Sequence, residues 1–356
     1  MFFYILFLVF FSCLLLFGYL FPKKEKLLSL AVFVLIVLIA GLRYRVGGDY
    51  DSYVSWYLHK TRDYDLEFGF VAVMQLFRSL RLSTQFLFFF FSFFTYFFVY
   101  LGIKKFCRQP NVAFLFYILI PTLFLTSLNL VRQSFSVAIS FYALYYLIHK
   151  KYFIFFMLML VGISIHNTCI IPLIVFPFVV KIADKIKVKH LFVLLIVSLI
   201  MATFDFVRFF AILFENTRYS FYFSDQRIPV NFIKIIVLNF VAIFVLVYFD
   251  KLKIVYPYQK YLSVLYFLSV VSINILSPLD DLSRIYTYFR IFEIVVVADL
   301  IFLETNRKRI FLFSFFYLLY FGAFLNGIKK DFESKNRDMP QYIPYNNILW
   351  SKPQDR

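Results

Sequence analysis

Five short stretches of this chain combine residue types able to do chemistry. The first is Arg43-Tyr-Arg-Val-Gly-Gly-Asp-Tyr-Asp-Ser-Tyr53. Gly47 and Gly48 permit a tight turn between cations and carboxylates. Arg43 or Arg45 suits a phosphate, which the guanidinium fork binds in bidentate fashion, and Asp49 either orients that arginine or accepts a proton. The same residues also fit an interfacial loop with snorkelling arginines and a tyrosine belt. The second stretch, Asp63-Tyr-Asp-Leu-Glu67-Phe-Gly-Phe70, leads into an apolar run ending at Arg78 and Arg81. It predicts an interfacial helix with Glu67 near its N-terminus, where the helix dipole favours an anion and capping accounts for the carboxylate. The third, Asn129-Leu-Val-Arg132-Gln133, opens an apolar helix. An arginine beside two amides at a span boundary is costly unless it is paired or faces water, which points to a polar site.

The fourth is His166, in Ser164-Ile-His-Asn167. An imidazole there either hydrogen-bonds an interrupted backbone or serves as general base or acid. No HExxH pattern and no neighbouring histidine suggest a metal. The fifth runs from Asp280-Asp281 through Arg284, Tyr286 and Tyr288 to Arg290. Arg284 and the tyrosines are placed to line an entrance for a phosphorylated head group and a sugar. The aspartate pair tempts towards a divalent cation but fits a helix cap better.

These stretches need elements to position them, and the composition says which. The 356 residues are 62% hydrophobic, 23% aromatic and 16% charged, against roughly 25% charged in soluble domains. Apolar runs recur along nearly the whole length, so the fold class is an all-α polytopic membrane protein. The net charge of +17 sits in short loops between spans, which argues for topology and against nucleic acid. Cys13, Cys107 and Cys169 are scattered and give no disulfide or metal pattern.

Spans are expected at about 2–21, 27–42, 84–103, 112–128, 130–148, 190–206, 231–249, 261–277, 289–303 and 310–326. The first lacks a basic n-region and cleavage site and reads as a retained helix. Residues 152–180 are too short for two spans of about 20 residues each, yet both flanks are lysine-rich. A helical hairpin turning at Ser164–Asn167 reconciles the two and brings the total to about twelve membrane segments. Lysines then cluster on one face, the cytoplasmic one, and arginines on the other, with the five stretches above. The organisation is a transmembrane domain over 1–328, an extracytoplasmic loop with an interfacial helix at 43–83, and a polar extracytoplasmic tail at 329–356. The tail's apolar patch, Tyr342 to Trp350, is placed at the bilayer surface, where Tyr and Trp are favoured.

Taken in order and on one face, these residues resemble the EpsG family of Wzy-type polysaccharide polymerases. The resemblance rests on Arg43 with Gly47, Asp49 and Tyr53; on Glu67-Phe-Gly-Phe; on Asn129 with Arg132-Gln133; on Ser164 with His166; and on Arg284 with Tyr286. It covers about 40–290, counted from the first to the last of those motifs. Arg45 is not part of the pattern, and Gly48 stands where the family usually has a small hydroxyl residue.

The resemblance implies a lipid-carrier-dependent glycosyltransferase with a GT-C-like fold, acting at the outer face of a bacterial cytoplasmic membrane on O-antigen, capsule or exopolysaccharide. Its substrate would be a glycan on a polyprenyl diphosphate such as undecaprenyl diphosphate, transferred to another lipid-linked repeat unit. No cofactor or metal is implied. A chain-length regulator and a flippase are the implied partners, beside the bilayer. On this reading Arg132 and Arg284 bind the diphosphate. His166 is the candidate base and Asp49 the rival. Arg43, Arg45, Tyr53, Glu67, Asn129, Gln133 and Tyr286 shape the substrate site. A polysaccharide ligase or other lipid-linked-sugar transferase would share these residues. A flippase would instead run its cations along a continuous path.

Overall fold

The computed structural model describes residues 2–59, 66–202, 232–276, 284–333 and 341–349. Among them the secondary structure is helical, apart from one isolated β-bridge between Arg43 and Asn347. The expected loop at 207–230, Asp63 and Asp65, and the Asp280-Asp281 pair lie outside the described residues. The chain divides into two compact units: Met1–Leu173 with Leu312–Arg356, and Ile174–Phe311.

The first unit contains α1 (Phe2–Leu20), α2 (Glu25–Gly41), α3 (Tyr50–His59), α4 (Phe68–Ser79), α5 (Thr84–Phe106), α6 (Pro110–Leu119), α7 (Pro121–Asn129), α8 (Val131–Ile148) and α9 (Tyr152–Ile165). The helix α10 (Ile170–Ile182) begins in it. Phenylalanine-rich α5 packs against α2 and α8, and α8 packs against α9. Ser136, Ala138, Ser140 and Ala143 of α8 are fully buried. Small side chains let helices approach closely where lipid gives no hydrophobic drive between them. Their hydroxyls are satisfied locally: Ser136 Oγ donates to the Gly162 carbonyl at 2.8 Å and Ser140 Oγ to that of Val137 at 2.8 Å. Pro121, which has no N–H to continue a ladder, follows Ile120, and the chain turns by 64° between α6 and α7.

The second unit is built on α13 (Gln259–Leu276), against which α11 (Val188–Met201), α12 (Phe232–Val255), the turn Arg284–Tyr286, α14 (Thr287–Arg290) and α15 (Glu293–Leu303) pack. The expected span at 289–303 is shorter and broken before Glu293, and it is buried from Tyr286 to Ile301. Its polar residues are paired. Arg290 Nε donates to Glu293 Oε2 at 2.9 Å, and Gln259 Nε2 to Asp299 Oδ2 at 2.7 Å. Asn239, Asn274 and Ser198 form a further hydrogen-bonded group. Such groups are expensive in an apolar setting unless they satisfy one another.

The last helix, α16 (Asn306–Glu333), runs back into the first unit from Leu312 onwards. Among the described residues, six stretches are long and apolar enough to cross a membrane: Phe2–Leu20, Thr84–Phe106, Asn167–Lys185, Ile235–Val255, Gln259–Leu276 and Asn306–Glu333. The bent pair α6–α7 makes a seventh if it is one span. The expected twelve segments counted shorter arms as well, among them α9 and α11, which are apolar but only 14 residues each. Helix α8 is not among the six, because Arg132, Gln133 and its serines lower its hydropathy.

Residues 341–349 of the tail fold onto the chain itself. The Asp331 carboxylate accepts the backbone N–H groups of Gln341, Tyr342 and Ile343 at 2.8, 2.8 and 3.2 Å. Tyr345 stacks on Phe3 at 4.1 Å and its hydroxyl donates to the Ile39 carbonyl at 2.7 Å. Leu349, at the end of this segment, is exposed, and Trp350 lies outside the described residues.

Candidate active site

The site is assembled by a close approach of two helices. Gly69, in the first turn of α4, lies against Ser164 near the end of α9; a Cβ at Gly69 would stand 2.3 Å from Ser164 Oγ and 2.8 Å from its carbonyl oxygen. Only a residue without a side chain lets α4 dock there. The contact brings Glu67, the residue just before α4, up to the place where α9 stops. The helix ends at Ile165, and His166 takes an extended conformation, φ −154° and ψ 114°. Asn167–Cys169 then make a single 3₁₀ turn. The interruption expected at Ser164–Asn167 is therefore present at His166, while α9 packs chiefly on α8 and α4.

Glu67 makes no side-chain cap to α4. This corrects the capping explanation, since its carboxylate joins two other functional candidates. Oε1 accepts His166 Nδ1 at 3.0 Å and the Asn167 backbone N–H at 3.2 Å. Oε2 accepts Arg132 Nη1 in an ion pair. The Glu67, Arg132 and His166 side chains are 10%, 18% and 23% exposed, so the group is sheltered but reachable. Burial pushes the Glu67 carboxyl up; the His166 hydrogen bond and the Arg132 charge outweigh it and hold the pKa down to about 2. An ionised carboxylate only accepts, so Nδ1 carries a hydrogen, an assignment made from the hydrogen-bond network, and in the neutral imidazole Nε2 is then the atom with the lone pair.

Arg132 is framed by aromatic rings. Its guanidinium carbon lies 5.2 Å from the Trp56 ring and 5.3 Å from the Phe70 ring, within cation–π range. Its Nε is buried and has no hydrogen-bond partner among the described residues. Tyr53, expected to touch substrate, is 3% exposed. Burial raises its pKa, while the neighbouring Arg132 lowers it and Asp49 raises it. It is a buried support for the arginine. Arg78 ties α4 to α3 by donating to the Trp56 and Tyr57 carbonyls at 2.7 and 2.8 Å. Around these residues Tyr50, Tyr53, Phe70, Met74, Phe88, Phe91, Val131, Phe135 and Ile165 form one apolar cluster.

The loop before α3 meets the end of α7. Gly47 has φ 102°, and a Cβ there would fall 2.3 Å from the Leu128 carbonyl oxygen, so both backbone and space demand glycine. The Asp49 N–H donates to Asn129 Oδ1 at 2.8 Å. Asn129 thus holds the loop, and Gln133, 6% exposed, is inside the protein.

Arg43 departs most from expectation. It is 1% exposed, its Nε and Nη1 donate to the Val46 and Ala40 carbonyls, and it lies 4.6 Å over the Phe88 ring. Its guanidinium closes the end of α2, which replaces the phosphate-binding role. The tail covers this loop, with Ile348 N–H on Leu42 O at 3.0 Å and Tyr44 N–H on Asn346 O at 2.9 Å. Arg45 remains half-exposed, 3.8 Å from Asp51.

Arg284 and Tyr286 belong to the second unit. Arg284 opens the turn Arg284–Tyr286 and is partly exposed, whereas Tyr286 is 3% exposed with Arg290 5.9 Å from its ring. Burial corrects the expectation that Tyr286 lines an entrance. Among the described residues no cluster of three or more His, Cys, Asp or Glu side chains could hold a metal ion. The sequence reading passed over Trp56. Its one signal was rarity: two tryptophans in a chain with 54 phenylalanines.

Helices long and apolar enough to span define a multi-pass membrane protein, and within it a sheltered histidine and arginine share one carboxylate. The chain belongs to the EpsG family, whose model matches residues 26–347. That family is one of Wzy-like polysaccharide polymerases, so the coarse role is a glycosyltransferase-type polysaccharide polymerase. No curated protein and no solved structure matches the chain.

Proposed function

We propose that this protein extends a polysaccharide by moving a glycan from a polyprenyl diphosphate carrier to a second lipid-linked repeat unit, at the outer face of the cytoplasmic membrane. The observation that carries the reading is the shared carboxylate. Glu67 joins His166 and Arg132, a proton acceptor and an anion ligand, which are the two functions this transfer requires. The acceptor hydroxyl oxygen attacks the anomeric carbon of the donor sugar, and a new glycosidic C–O bond forms as the C–O bond to the diphosphate breaks. The hydroxyl proton passes to His166 Nε2, and the bonding electrons leave with the diphosphate. Arg132 stabilises the charge gathering on that leaving group, the role of a preorganised cation in a sheltered site. Arg284, which lies in the second unit, is proposed as a second diphosphate ligand on its sequence motif alone. Trp56 offers an aromatic face beside the arginine, suited to a sugar ring.

The lysine–arginine asymmetry supports the orientation, with lysine-rich loops cytoplasmic and the arginine-bearing motifs outside. The proposed topology has about twelve membrane segments, more than the six or seven helices that are long and apolar enough to span among the described residues. Chain-length regulator and flippase partners fit this pathway class. The test uses alanine variants at Arg132, His166 and Arg284, expressed at normal levels and supplied with lipid-linked repeat units. Loss of polymer from the variants is expected. Long polymer from all three overturns the reading, and transport of lipid-linked glycan without a new glycosidic bond would identify a flippase instead.

A further inference from the structure

We infer that Glu67 is a positioning residue for the transfer, fixing His166 with Nε2 as its proton-accepting atom and coupling it to the diphosphate grip of Arg132. The inference rests on the roles proposed above for His166 and Arg132. Its geometry is independent of them. The Glu67 carboxylate is not used on its own helix. One oxygen accepts both His166 Nδ1–H and the Asn167 N–H, which locks the ring relative to the 3₁₀ turn. The other oxygen holds Arg132. The Gly69–Ser164 contact sets the distance at which this happens.

Charge balance gives the arrangement its chemical sense. Before transfer the three groups carry one positive charge, one negative charge and a neutral imidazole. When Nε2 takes the hydroxyl proton the group gains one positive charge, as the diphosphate gains the electron pair of the broken C–O bond. Glu67 lies against the new imidazolium, and Arg132 is free to shift its donors towards the leaving group. The proton then returns from Nε2 to water or to the released diphosphate. Among the described residues, Glu67 pairs with the imidazole and also with Arg132 of α8, and Tyr53 of α3 neighbours both Arg132 and Asp49.

The experiment compares Glu67→Gln, Glu67→Asp and Glu67→Ala in the purified full chain, with a lipid-linked repeat unit as the probe. Glutamine keeps a carbonyl for Nδ1–H but no charge. We expect kcat to fall by roughly 10²-fold or more in E67Q, with KM within a few-fold of wild type. The acid limb of the pH–rate profile should move to lower pH, because an imidazolium formed in the reaction loses its counter-charge. Glu67→Asp should recover part of kcat, and Glu67→Ala none. An E67Q enzyme with an unmoved limb and only a raised KM overturns the inference. A second readout needs no variant: ¹⁵N shifts of labelled histidine in the wild-type protein should show an Nδ1–H tautomer at His166, and an Nε2–H tautomer overturns the inference by itself. If His166→Ala and Arg132→Ala both remain active, the proposed function fails first. If they are inactive while E67Q is not, the positioning role alone fails.

Discussion

Gly69 and Ser164 touch so closely that no side chain can be added between them. This one contact between α4 and α9 brings Glu67 within hydrogen-bonding distance of His166.

Gly69→Ala should therefore separate the carboxylate from the imidazole. Overpacking of this kind costs about 1–3 kcal/mol. The expected outcome is a modest fall in the melting temperature in detergent and a larger fall in polymer yield. Ser164→Ala would remove only the hydroxyl and should retain more activity. Thermal unfolding and polymer gels of the two variants check both.

Arg132→Ala and His166→Ala should each lower polymerisation by about 10²–10³-fold, the usual effect of deleting a transition-state ligand or a general base. Arg132→Lys should recover little, since lysine lacks the planar fork that meets Glu67 and a diphosphate together. Initial rates with lipid-linked substrate measure this.

The pH dependence of stability follows from Glu67. Its pKa in the folded protein is held to about 2, below its ordinary value of 4.5. The unfolded chain therefore takes up the proton more readily, and acid favours unfolding. The stabilisation is fully present above about pH 4.5 and is lost as the pH falls towards 2. Glu67→Gln should flatten the decline in melting temperature across that window.

Arg43 and Arg45 should behave as opposites. Arg43→Ala removes donors from two buried carbonyls, at about 1–3 kcal/mol for each acceptor left alone. Arg45→Ala breaks only an exposed pair with Asp51 and should stay within about 0.5 kcal/mol of wild type. Chemical or thermal denaturation in detergent compares them.

Asp331→Ala should release the tail, because three backbone N–H groups lose one acceptor. The expected result is faster proteolysis of residues 341–349 with little change at α5 or α8, followed by mass spectrometry.

Much of this protein could be read from its sequence because apolar periodicity and length report directly on the solvent a helix sits in. The run Thr84–Phe106 announces a membrane helix by composition alone, and the polar break after Ile165 announces where one must stop. Arg132 stood out for a similar reason, as a cation at an apolar boundary. Arg43 looked the same on paper, yet its donors close the end of α2 under the tail. A residue's type and neighbours along the chain do not say which backbone will fold over it.

The sequence alone determined the helical membrane class and the family motifs, and it named the candidates, His166 or Asp49 as base and Arg132 with Arg284 as anion ligands, since these depend on composition and local pattern. Only the tertiary structure decided which side chains meet. It turned Glu67 from a helix cap into the link between His166 and Arg132, put Tyr53 behind the arginine and Trp56 beside it, and laid the tail across the first loop. Those assignments depend on contacts between residues far apart in the chain, fixed by how closely helices can approach at Gly69 and Gly47.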